Sequence, residues 1–187
     1  HPSEYTNTIY FNNYIEWLGD VSRYNLYRSV NREPFVLIPL HTFYPGDSLV
    51  YVDIVSDFID GNGRFCYYIE AIEGEGNDLG FLERSFSNVS CVSQTPKLFI
   101  PNTFTPNDDD HNELFRPVNS FVSEIGYSFS IFNRSGEQIF LTNDPSKGWD
   151  GTFKGSKVPN GDYVYSIEYV NGVGEFIQQV SSVLLIR

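Results

Sequence analysis

No stretch of this 187-residue chain keeps a helical period, whereas alternation with period two recurs along it, each run closed by turn residues. The clearest case is Asp162–Val170, where Tyr163, Tyr165, Ile167 and Tyr169 fall on one face of an extended strand. A strand built that way buries one face, so the sheet it joins must pack against a second layer. The 16 Phe and 13 Tyr suit strands, and 15 Gly with 10 Pro punctuate them. The expectation is all-β: two tandem Ig-like or fibronectin-like β-sandwiches. The length allows two units of about 90 residues, and 41% hydrophobic content provides a core for each.

A net charge of −12 repels phosphate backbones and anionic lipid, so nucleic acid is not an expected partner. No apolar run reaches the roughly 18 residues of a membrane span. The chain starts at His1-Pro2 with no leader, which reads as a processed chain or the ordered end of a longer one.

In the first half, strand candidates are 8–17, 23–30, 34–40 as an edge strand between prolines, 48–55, 60–73 after a Gly turn, and 85–93. A short polar linker at 93–97 separates a unit at 1–96 from one at 97–187. The second half opens with 98–106. A hairpin follows, Tyr127–Asn133 and Glu137–Phe140 about the turn Arg134-Ser135-Gly136. Turns at 148–151 and 155–161, the strand Asp162–Val170, a turn at 171–175 and a last strand at 176–187 complete it.

The first half, with Trp17 on an early strand, then Tyr24, Leu26 and Tyr27, then Tyr68 and Ile69, resembles a fibronectin type III module over about residues 5–95. Its first strand is short or missing. Two cysteines cannot make a CxxC motif or a thiolate metal site. The resemblance sets Cys66 and Cys91 on neighbouring strands, which implies a cross-strand disulfide; the alternative is two buried thiols.

The second half carries four motifs in order: "IPNTFTPN" followed by an acidic loop and Phe115, "FNRSGEQIF", "GWDGTFKG" with "VPNGDYVYSIEY", and an apolar strand ending in Arg187. Over Leu98–Arg187 it resembles the gliding motility-associated, or type B, C-terminal domain of cargo of the bacterial type IX secretion system. That family's loop reads Asn-Gly-Asp-Gly; here Asp108 and Asp110 stand at the glycine positions, and Ser135 stands where the family has Trp. The resemblance implies export rather than chemistry. The cargo would belong to a Bacteroidota bacterium, cross the periplasm, and finish at the cell surface in association with the outer membrane. Its partners would be the outer-membrane translocon and a PorP/SprF-type barrel, and the host would be a long surface protein such as an adhesin. The competing class is a carbohydrate- or protein-binding adhesin module.

No catalytic motif is present, and His1, His41 and His111 lie far apart in sequence. Asn107, Asp108, Asp109, Asp110, Asn112 and Glu113 could converge on calcium, which takes six to eight oxygens, although the spacing is not that of an EF-hand. The alternative is a solvated turn capped by its own side chains. Trp149 reads as core more than as a sugar platform. Asn88-Val-Ser90 and Asn133-Arg-Ser135 read as chance glycosylation matches. Leu184, Leu185, Ile186 and Arg187 are candidate partner-binding residues, with Leu184 and Ile186 on one face and Leu185 and Arg187 on the other.

Overall fold

The computed structural model describes residues 5–17, 19–76, 80 and 82–187; His1 lies outside them. The fold is all-β, with no α-helix among the described residues. The chain divides into two compact units, His1–Asp57 with Arg64–Gln94, and Phe58–Gly63 with Thr95–Arg187.

In the first unit, β1 (Thr6–Tyr10) pairs with β4 (Val50–Ile54) as a two-stranded sheet. The other sheet places β3 (His41–Phe43), β2 (Val21–Val30) and β5 (Arg64–Glu73) side by side. Both β6 (Arg84–Phe86) and β7 (Ser90–Ser93) line the far edge of β5. Inward positions of β2 and β5, Tyr24, Leu26, Phe65, Tyr67 and Ile69, form the core with Phe43 and Val55. Phe11 meets Tyr24 and Phe43 edge-on, with centroids 5.2 and 5.0 Å away. A polar bridge crosses between the sheets. Arg28 Nη1 on β2 and the Tyr67 hydroxyl on β5 each donate at 2.6 Å to Asp53 on β4, and Asn7 on β1 donates to the Tyr67 hydroxyl at 2.8 Å. These partners satisfy a carboxylate that is only 3% exposed.

The two cysteines are bonded, Cys66 on β5 to Cys91 on β7, at directly paired positions. A register shift puts them there. The β5–β6 register, continued, would set Ser90 opposite Cys66; one extra residue near 87–89 brings Cys91 instead. Ser87 marks the break, because its backbone N–H donates to Ile69 C=O and its Oγ accepts the Ile69 N–H, both at 2.9 Å.

Three strand expectations in this half are corrected. The candidate at 85–93 is two strands for the reason just given. Residues 34–40 form no strand: prolines at 34 and 39 remove ladder donors, and Val36, Leu37 and Ile38 are exposed. Trp17 sits on no strand. Strand β1 ends at Tyr10, and Trp17 lies half-buried with its ring 4.4 Å from Tyr14.

In the second unit, β12 (Gln138–Thr142), β11 (Ser128–Phe132), β15 (Gly161–Val170), β16 (Phe176–Leu185) and β9 (Thr103–Phe104) form a five-stranded sheet in that order. It is antiparallel except where β16 meets β9. Two small sheets complete the unit. One pairs β8 (Lys97–Phe99) with β10 (Val118–Ser120), and the other pairs β13 (Thr152–Phe153) with β14 (Ser156–Lys157). Tyr163, Tyr165, Ile167 and Tyr169 all point into the core, as their alternation requires. Trp149 is 1% exposed, its Nε1 donating to Thr152 C=O at 2.8 Å, so it is core and offers no stacking face.

Candidate functional site

Three of the four sequence motifs of the second half meet at the end of the last strand. Phe115 and Trp149 exchange backbone hydrogen bonds in both directions, joining the residue after the acidic loop to the Gly-Trp-Asp-Gly turn. The Arg187 guanidinium closes the group. Its Nε donates to Pro106 C=O at 3.2 Å, Nη1 to Val158 C=O at 2.6 Å and Nη2 to Gly151 C=O at 2.7 Å. One side chain therefore ties the "IPNTFTPN" turn, the Trp149 turn and the loop before β15 to the end of β16. Gly151 is required there: its φ is +74°, and an added Cβ would lie 2.6 Å from Arg187 Nη2 and 2.9 Å from Leu185 Cδ1.

The acidic loop is built as a self-capped turn. Asp109 N–H donates to Asn107 Oδ1 and Glu113 Oε1, and the Asp109 carboxylate accepts from Asn107 Nδ2 and His111 N–H. These hydrogen bonds, Asn107's foremost, hold the Asp109 carboxyl below its ordinary range. Asp108 pairs instead with Lys157 Nζ on β14 at 3.1 Å. Both Asp108 (φ 67°) and Asp110 (φ 66°) are left-handed, as is Asn112 (φ 53°). The positions at which the resembled family has glycine are thus the ones whose backbone needs glycine's freedom. Asp fills them because its short side chain tolerates that region. Asn107, Asp108, Asp109, Asp110, Asn112 and Glu113, the residues expected to converge on calcium, all lie in this loop. The side chains of Asn107, Asp109 and Glu113 cap backbone N–H groups and Asp108 meets Lys157; among the described residues, no three or more His, Cys, Asp or Glu are grouped as a metal site. His111 lies in this loop with Nδ1 against Asp109 C=O, while His41 stacks on Tyr51 in the first unit.

Of the four candidate partner-binding residues, two are used by the fold. Leu185 is fully buried and Arg187 holds three carbonyls. Leu184 and Ile186 turn to the other face, and Ile186 is 43% exposed. Their N–H groups donate to Asn102 and Phe104 C=O, which joins them to β9. Beyond that junction, no strand among the described residues pairs with the outer side of Phe176–Val183. The Asn171–Glu175 hydrogen bond sets the phase of the hairpin, so the N–H and C=O groups of Phe176, Gln178 and Val180 point away from β15. This open edge carries no charge and no proline, and Phe176 and Val180 are exposed on it. Charges, prolines and bulges are the usual devices that keep an edge strand from accepting another.

A further regularity went unread in the sequence. Asn133–Glu137 and Asn171–Glu175 share the pattern Asn-x-x-Gly-Glu. In each, the Asn Oδ1 accepts two backbone N–H groups, its Nδ2 donates to the Glu carboxylate, and the Gly has positive φ. The repeat itself was the available signal. Ser135 is exposed in the first of these turns, so a Trp at that position would face solvent rather than core.

Residues 98–184 match the family model of the CHU_C type IX secretion signal domain. No curated protein matches the chain. Among solved structures, the chain is similar to one described as a tetra-tandem repeat in the extending region of a large adhesion protein. The identity is 18% and the TM-score 0.44, over 89% of this chain and 42% of that one. The chain thus spans less than half the length of that structure.

Proposed function

Starting from a second unit that carries a type IX secretion signal domain, we propose that the chain is the export and surface-attachment region of a bacterial cell-surface protein. The signal implies the type IX machinery and export to the cell surface or beyond it. In our reading the region is non-enzymatic, residues 1–96 form the fibronectin-like module, and residues 97–187 form the sorting unit. It leaves the cell through the outer-membrane translocon and then docks on a PorP/SprF-type barrel of a Bacteroidota outer membrane.

The observation that carries the docking part is the open, uncharged edge of β16 beside Leu184 and Ile186. A partner strand added there would gain backbone hydrogen bonds from Phe176, Gln178 and Val180 and side-chain contacts at alternate positions. A photo-reactive residue placed at Val180 or Ile186 of the exported chain is expected to give adducts with an outer-membrane barrel. The same residue at Ser135, in the turn between β11 and β12 at the opposite edge of the sheet, serves as the comparison. Adducts from Ser135 alone would contradict docking through this edge.

A further inference from the structure

In the first unit a cleft of about 450 Å³ opens beside the end of β1, a size suited to a small ligand. Its walls are Ile9–Tyr14 on one side and Ser85–Asn88 on the other, over a floor that includes Ile69 and Ala71 of β5. None of its lining residues is charged, in a chain of net charge −12. An anionic ligand would find no cation there and a repulsive field around it.

Three asparagines, Asn12, Asn13 and Asn88, are exposed at this cleft. Their side-chain amides have no hydrogen-bond partner among the described residues. Each offers donor and acceptor together, the pairing that a neutral hydroxyl uses. Tyr10 (73% exposed) and Phe86 (61% exposed) add apolar aromatic surface at the same cleft, and an electron-rich aromatic face accepts the C–H face of a pyranose ring. An added peptide strand fits less well. Only Ile9 and Tyr10 of that wall belong to β1, and the backbone from Phe11 to Tyr14 is not extended sheet.

We propose that this cleft binds a neutral saccharide, through the amides of Asn12, Asn13 and Asn88 and the rings of Tyr10 and Phe86. The site lies in the unit without the secretion signal and does not rest on the export reading. The probe is an array of neutral, sialylated and sulfated oligosaccharides, followed by calorimetry of the full chain with the strongest neutral binder. The expected result is binding of one or more neutral glycans. The triple variant Asn12→Ala, Asn13→Ala, Asn88→Ala is expected to weaken it at least about tenfold with an unchanged melting temperature. Recognition of acidic glycans only, no glycan binding, or full binding by the folded triple variant would overturn the proposal.

Discussion

Arg187 shows how a single residue can decide a local architecture. Its planar fork reaches three carbonyls from three segments, a geometry that Lys cannot reproduce. Arg187→Ala is therefore expected to cost about 2–3 kcal/mol in denaturant unfolding of the second unit, with Arg187→Lys recovering only part of it. Tyr127 gives the opposite sign. It is 1% exposed, and its hydroxyl has no hydrogen-bond partner among the described residues. Burial, with Asp144 nearby, keeps that phenol protonated. Tyr127→Phe removes the unmatched hydroxyl and is expected to raise stability by about 1 kcal/mol on the same measurement.

At the scale of elements, the edge of β5 joins packing to covalent chemistry. The register shift near Ser87 sets Cys91 opposite Cys66, and the bond then closes a loop across 25 positions. The chain-entropy relation gives about 3 kcal/mol for such a loop, so reduction is expected to lower the melting of the first unit and leave the second unchanged. On the same strand, burial would raise the Glu70 carboxyl, but hydrogen bonds from Asn25 and Tyr27 and the Arg84 guanidinium outweigh it and hold it below its ordinary value. A depressed carboxylate stabilises the fold above its unfolded pKa and loses that contribution as pH falls through its folded one. Unfolding followed down through the carboxylate range should show a shallower acid loss for Glu70→Gln than for the parent chain. Alternation made β2, β5, β11 and β15 legible in the sequence, because side-chain period and burial share one geometric cause. The break at 87–89 was not legible, since a single Ser hydroxyl replacing a ladder acceptor leaves no trace in periodicity. Residues 34–40 misled because their apolar content suggested a strand while their two prolines denied it a ladder.

At the scale of the molecule, the site was legible in its parts and not in its assembly. The four motifs could be read in order, and Trp149 could be assigned to the core. Which residue ties three of them together could not be read, because Arg187 reaches Pro106 across 81 positions, and no local pattern encodes a contact so distant in sequence. The unpaired edge of β16 became visible only once β9 was seen to cover its end alone. The first unit's cleft had no sequence signature either; Asn12, Asn13 and Asn88 are ordinary loop residues until the fold brings them to one opening. The molecule thus has two separable parts, a unit that matches a type IX secretion signal domain and has an open strand edge, and a companion unit with an uncharged cleft. The most direct test of the first is to fuse the full 187-residue chain to the C-terminus of a secreted reporter in a host with a working type IX system, and to measure protease accessibility on intact cells. The reporter is expected to be digested from outside in that host and to stay protected in the periplasm when the translocon is deleted. A reporter that remains periplasmic in the intact host would contradict the export reading.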